Sequence, residues 1–245
     1  MAHRPLIYLI TSRHQFRHNP EPQPGSVPAA ESAEQASRKA QLAAIQIAAE
    51  AGCQLVQIRE KDLTARELCE FVRAAISIAR PFGARVLVND RLDVALLAGA
   101  DGVHLRATSL PADEVRAVAR GQGRDQFLIG VSTHTLSEAE SAAANGADFI
   151  VFGPVWSPLS KQVSGSLPGL SGLAAVCRAV DIPVLGLGGI EMDKVSEVLS
   201  RGGAGVAAIS LFADLNSLAE NVRLILESDR RGSVKQPDAE RFTNP

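Results

Sequence analysis

Apolar residues along this chain fall in short unbroken runs, and the stretches between them carry helical spacing. The first run, Leu6-Ile7-Tyr8-Leu9-Ile10, stops at Thr11-Ser12 and predicts a strand buried on both faces. Seven further runs predict strands at Leu55–Arg59, Arg85–Val88, Gly102–Leu105, Phe127–Val131, Phe149–Phe152, Val184–Leu187 and Val206–Ser210. Between them the period lengthens to that of amphipathic helices, at Glu31–Ala51 and near residues 64–80, 91–98, 111–120, 136–145, 171–180, 193–201 and 217–227. Gly52, after the first helix, suits a left-handed C-cap. Ala51-Gly52, Ala98-Gly99 and Asn145-Gly146 each close a helix just before a strand, with the glycines 47 residues apart both times. This is a weak internal repeat of two strand–helix units.

Continuous apolar strands alternating with helices imply a parallel sheet covered by helices. Eight such units predict an α/β fold, a single (β/α)8 TIM barrel spanning residues 1–228. The competing architecture is an open doubly wound sheet, but no dinucleotide fingerprint follows the first strand. Residues 13–30 hold four prolines, one glycine and no hydrophobic period, and predict a long surface loop. Residues 229–245 are polar, include two prolines and are expected to form a disordered tail.

Composition narrows the function classes. The 245 residues are 46% apolar, enough for a sizeable core, and 21% charged with a net charge of -2. The pI near 6.2 argues against a nucleic-acid partner. Three cysteines without a CxxC pair suggest neither a disulfide framework nor a zinc site, and point to a reducing, cytoplasmic setting. No run approaches membrane-span length, so no membrane partner is expected. The oligomeric state stays open, a homo-oligomer included.

In a barrel, chemistry sits where the strands end. After the second strand, alternation puts Gln57, Arg59 and Lys61 on one side, an amide and two cations suited to phosphate or pyrophosphate. Glu60 between them reads as part of a surface charge cluster. Asn89 and Asp90 follow the third strand. Asp90 suits Mg²⁺ and equally suits the N-cap of the next helix. His104 ends the fourth strand. Ser132 and His134 follow the fifth, where Ser132 or Thr135 suits a helix cap and His134 an acid or base. A long loop after the sixth strand, with Ser160 and Lys161, reads as a lid. Gly188 and Gly189 after the seventh strand and Ser210 after the eighth stand where barrels commonly bind a phosphate through backbone N–H groups.

Taken in order, Gln57-Ile-Arg-Glu-Lys61, Val88-Asn-Asp-Arg91, Ala100-Asp-Gly-Val-His104, Gly130-Val-Ser-Thr-His-Thr135, Phe152-Gly-Pro154, Lys161, Leu187-Gly-Gly-Ile190 and the Gly205–Ser210 strand resemble the thiamine phosphate synthase / thiazole tautomerase family. The resemblance covers about residues 5–226 and implies a transferase. Hydroxymethylpyrimidine diphosphate would condense with a thiazole phosphate, giving thiamine phosphate and pyrophosphate. It further implies that Gln57, Arg59, Lys61, Asn89 and Lys161 bind the diphosphate, with Lys161, Ser132 and His134 as catalytic candidates. Asp90 would hold Mg²⁺. His104 and Ser132 would line the pyrimidine side, and Ser160, Gly188, Gly189 and Ser210 the thiazole phosphate side. The chain also departs from the family. Arg106-Ala107-Thr108-Ser109 stands where synthases carry Gly-Gln-x-Asp, so Ser109 replaces a second metal ligand, and Pro158-Leu159-Ser160-Lys161 lacks one hydroxyl of the usual lid. These changes lean toward the related thiazole tautomerases, with His134 as acid/base. A third alternative is a non-catalytic thiazole-phosphate-binding or regulatory relative.

Overall fold

A computed structural model describes residues 4–12, 33–157, 167–228 and 242 of the chain. The expected 13–30 loop, the lid residues Ser160 and Lys161, and all of the expected tail except Phe242 lie outside the described residues.

Eight parallel strands close on themselves: β1 (Leu6–Ile10), β2 (Leu55–Ile58), β3 (Arg85–Asn89), β4 (Gly102–Leu105), β5 (Leu128–Thr133), β6 (Phe149–Phe152), β7 (Val184–Leu187) and β8 (Gly205–Ala208). β1 pairs with β2 on one side and with β8 on the other, Leu6 opposite Gly205, which completes the ring. Each strand is followed by a helix: α1 (Ala33–Glu50), α2 (Ala65–Ala79), α3 (Leu92–Ala98), α4 (Ala112–Gly121), α5 (Leu136–Ala144), α6 (Gly169–Ala179), α7 (Val195–Ser200) and α8 (Leu215–Glu227). The predicted (β/α)8 barrel is the observed fold. β1, β4, β6 and β7 begin and end where the hydrophobic runs do. β8 is shorter than predicted, because Ile209 turns into the helical region and Ser210 opens a short 3-10 turn. Among the described residues, no helix is long and apolar enough to cross a membrane.

Helix α2 shows how local sequence sets an element. Thr64 and Glu67 form a reciprocal capping box at its start, and Pro81 lies just past its end. Leu68, Cys69, Phe71, Val72, Ala75, Ile76 and Ala79 recur at three- and four-residue spacing and are the face it buries. Alternation along each strand divides the core in two. Val56, Val86, Val103, Ile129, Ile150 and Val206 face the helices, whereas Tyr8, Leu55, Leu87, Leu128, Phe149 and Leu185 fill the barrel. Phe242 joins the inner group, its ring edge-on to Phe149 at 5.8 Å. At that one residue the expected disordered tail gives way to a buried contact, because an aromatic ring finds an apolar interior at the barrel's amino-terminal end. All three cysteines are free and buried, and burial pushes the Cys53 thiol up to about 11 and Cys177 to about 12.

The internal repeat has a physical cause. Gly52, Gly99 and Gly146 all adopt positive φ, where a side chain would be strained. Two residues after each comes an acceptor: Gln54, Asp101 or Asp148. Its side-chain oxygen takes the N–H at the start of the preceding odd-numbered strand, from Ile7 (2.9 Å), Val86 (2.8 Å) and Ile129 (2.7 Å) respectively. Each pair of strands is thus clipped at its amino-terminal end. Asp148 has the additional partner Arg116, at 2.8 Å, and both side chains are almost wholly buried. Asp148→Ala would leave that guanidinium uncompensated and the Ile129 N–H without its acceptor. It is expected to cost about 3–5 kcal/mol in urea unfolding, against a fraction of that for a substitution at exposed Asp113.

Candidate functional site

The inner side chains are apolar until the carboxyl ends of the strands, where the polar set begins. On β2, Gln57 is buried and its Nε2 donates to the Tyr8 hydroxyl at 3.1 Å, deep in the barrel. Burial drives the Tyr8 pKa far above its ordinary value, so the phenol stays neutral. Arg59, next on the same side, is half-buried, and Lys61 is exposed beyond it. Glu60 corrects the surface-cluster expectation. It faces the helix layer, is buried, and accepts from Thr11 Oγ1 (2.9 Å) and Gln41 Nε2 (2.5 Å). Thr11 Oγ1 in turn accepts the Arg59 N–H at 3.0 Å, so this buried carboxylate fixes the backbone that presents Arg59.

Asn89 and Asp90 are half-buried at the end of β3. The N-cap alternative for Asp90 is set aside: α3 is capped by Arg91 without a side-chain bond. Asp90 instead sits at φ 58, its N–H donating to the His104 carbonyl at 2.8 Å. Its carboxylate turns to the loop after β4, where Arg106 forms an ion pair with Oδ2 and the Ser109 hydroxyl donates to Oδ1. Ser109, at the position where the resemblance places a second metal ligand, is thereby a donor to the carboxylate. Arg106 was not among the expected site residues. Alternation places it on the same side as His104, and that was the available signal.

His104 is 2% exposed, with Nε2 at 2.8 Å from Ser132 Oγ. Its ring lies 5.5 Å from Tyr8 and 6.0 Å from Phe149, and among the described residues Nδ1 has no hydrogen-bond partner. Gly130 makes the room, since a Cβ there would come within 2.7 Å of Nδ1. Burial is the main force on this ring and pushes its pKa down to about 3; nearby Asp90 opposes the shift and nearby Arg59 adds to it. His104 is therefore neutral at any ordinary pH. His134 is exposed, and its Nδ1 lies 2.5 Å from the Gly153 carbonyl. A carbonyl only accepts, so Nδ1 carries a proton and Nε2 is the basic nitrogen of the neutral ring. Thr135, not Ser132, caps α5.

Across the mouth, Gly188 and Gly189 follow β7 at φ 99 and 59. Here the glycines answer to a close approach as well as to a turn. A Cβ on Gly188 would meet Pro154 at 2.7 Å, and one on Gly189 would meet Trp156 and Ser157 at 2.8 Å. The loop after β6 is laid directly on them, with the Trp156 N–H on the Gly188 carbonyl at 3.1 Å. Lys194 closes this corner, bonded to the Gly189 carbonyl at 3.2 Å, with its ammonium 5.7 Å from the Trp156 ring. Neither Trp156 nor Lys194 was expected; each lies several residues past its strand, where alternation no longer predicts direction. Ser210 is exposed at the start of the turn after β8.

The mouth thus has a charged side at β2–β4, a neutral histidine–serine centre, and a backbone-lined side at β7–β8. Comparison with known proteins gives a consistent picture. The family described as thiamine monophosphate synthase matches residues 30–212. A Geobacter sulfurreducens relative is 43% identical over 220 residues, covering 90% of this chain and 92% of that protein. The thiamine-phosphate synthase of Moorella thermoacetica is 41% identical over 182 residues, 73% of this chain and 85% of its own. Among solved structures, the thiamine phosphate pyrophosphorylase of Pyrococcus furiosus superposes with a TM-score of 0.68 at 29% identity, covering 90% of this chain and 96% of that one.

The state of His104 has a measurable consequence. Its folded pKa lies below its unfolded value, so the unfolded chain binds the extra proton as pH falls. Stability from this group is fully present above about pH 6.5 and is lost progressively toward pH 3. In urea titrations across that window, the wild type should lose stability faster than His104→Asn. Parallel curves would show that His104 is not buried as a neutral ring.

Proposed function

The chain belongs to the thiamine monophosphate synthase family, and from that premise we propose how its mouth carries out the condensation that forms thiamine phosphate. The observation that carries the reading is the division of the mouth, with Arg59 and Asp90 on one side of a neutral His104 and the Gly188-Gly189 backbone on the other.

The bond between the pyrimidine methylene and the diphosphate breaks, and its electron pair leaves with pyrophosphate. The lone pair of the thiazole nitrogen then closes the new C–N bond on the electron-poor carbon. No protein nucleophile is needed. The demand is for fixed positive charge where negative charge develops, which Arg59, Lys61 and Lys161 supply, with Asn89 as a polar neighbour. Gln57 is tied to Tyr8 and shapes the floor of this subsite. His104 and Ser132 receive the pyrimidine. A neutral imidazole there does not repel the carbon as it becomes cationic. Gly188, Gly189 and Ser210, with Ser160, offer the thiazole phosphate N–H and O–H donors.

Members of this family generally depend on Mg²⁺, which when bound would screen the diphosphate charge. The donor set at Asp90 does not fit a resident ion. Both of its oxygens are engaged by Arg106 and Ser109, and no cluster of three metal-ligating side chains exists among the described residues. The substrates are small phosphorylated pyrimidine and thiazole molecules, and a cytoplasmic setting suits three reduced thiols.

A second reading rests on His134. With Nδ1–H fixed on Gly153, Nε2 is a positioned base for proton transfer on a thiazole carboxylate phosphate. Incubation of the purified chain with each substrate set separates the two. Thiamine phosphate should form from the diphosphate and the thiazole phosphate, and Arg59→Ala should lower kcat/KM by on the order of 10²-fold. Isomerisation without any thiamine phosphate would instead establish the second reading.

A further inference from the structure

We propose that Arg106 stands in for a metal ion at Asp90, so that the mouth takes diphosphate without a resident divalent cation. The inference rests on the synthase reading and deepens it.

The carboxylate of Asp90 is the acidic group at the end of β3, and both of its oxygens are committed, Oδ2 to the Arg106 guanidinium and Oδ1 to the Ser109 hydroxyl. The arrangement is built into the backbone. The Arg106 N–H donates to Ser109 Oγ at 3.0 Å, and the Ser109 N–H returns to the Arg106 carbonyl at 3.0 Å. Residues 106–109 therefore form a closed turn that delivers a cation and a hydroxyl to one carboxylate. From the other side, Asp90 is held at φ 58 with its N–H on His104, which limits how far its side chain can turn away.

A Mg²⁺ ion on Asp90 would have to expel Arg106, and a dication and a guanidinium repel at contact distance. It would gain little in exchange, because Mg²⁺ seeks hard, preferably anionic oxygens and the second neighbour here is a serine. Charge at Asp90 is already balanced, since Arg106 cancels it without a metal ion. A guanidinium has five N–H donors, and the ion pair with Asp90 uses one corner of it. The Arg106 side chain is 59% exposed, so its remaining donors are accessible to solvent and to a ligand.

Two binding measurements on the full chain test this without relying on turnover. In Mn²⁺ titrations read by electron paramagnetic resonance, the wild type should show no protein-bound ion at sub-millimolar concentration. The double variant Arg106→Gly, Ser109→Asp should gain one, because it restores two free carboxylates. In calorimetry with inorganic pyrophosphate and excess chelator, the wild type should bind. Arg106→Gln should weaken that binding by about 10-fold, and Arg106→Lys, which keeps the charge, by no more than about 3-fold. The side chain is exposed, so a retained near-ultraviolet spectrum in each variant is the expected control. Micromolar Mn²⁺ binding by the wild type, or unchanged pyrophosphate affinity in Arg106→Gln, would overturn the proposal. Thiamine phosphate formation by the wild type is scored separately. Its absence both in chelator and in Mg²⁺ would overturn the synthase reading, while the two binding measurements still decide the role of Arg106.

Discussion

A ring of eight short parallel strands holds only if its interior is filled, and every second residue of each strand must do the filling. Tyr8, Leu55, Leu87, Leu128, Phe149, Val151 and Leu185 meet that demand here. Polar side chains on the same rows are left with one place to go, the carboxyl ends. Gln57 and His104 sit at the level where the apolar filling stops, and their properties follow from that height. Gln57 must bond to something inside the barrel and finds Tyr8. His104 is stripped of water and stays uncharged. One residue further along each row, Arg59 and Arg106 reach water. The chemistry of the mouth is thus a gradient of hydration imposed by closure.

Much of this architecture is legible in the residues themselves. Strands buried on both faces read as unbroken apolar runs, so β1, β4 and β6 are found to the residue. Period-two alternation correctly groups Gln57 with Arg59, and His104 with the mouth. What escapes is information that resides in contacts between distant segments. Glu60 looks like a surface charge because nothing adjacent shows that Thr11 and Gln41 will enclose it. Asp90 looks equally like a helix cap or a ligand, and its actual partners lie on a different strand–helix unit. Gly188 and Gly189 read as a phosphate loop, yet their lack of Cβ is also demanded by Pro154 and Trp156. Ser160 and Lys161 fall outside the described residues.

Electrostatics gives the mouth its direction. Burial is the largest influence on His104; Arg59 adds to it and Asp90 opposes it. A centre that carries no charge of its own can face a leaving diphosphate and an electron-poor carbon in turn without favouring the return of either. In the proposed mechanism the charged side then needs only to hold an anion, and the backbone-lined side only to orient a second phosphate ester. Such a division lets the two ends of the site change independently. The exchange of a carboxylate for Ser109 beside Arg106 alters the charged end, while the glycine corner stays intact.

The clips at Gln54, Asp101 and Asp148 bear on the order in which the molecule can be assembled. Each joins strands that are neighbours in sequence, so β1–β2, β3–β4 and β5–β6 can lock as soon as both members have left the ribosome. Local contacts of this kind cost little loop-closure entropy and form early. The final seam is different. β8 meets β1 across the full span of the described barrel, through backbone bonds such as the Leu6 N–H on the Ala204 carbonyl at 2.9 Å. Phe242 enters beneath Phe149 later still. A nascent chain would therefore carry three finished pairs of strands around an open edge, exposed to other edges of its kind, until its last strand arrives.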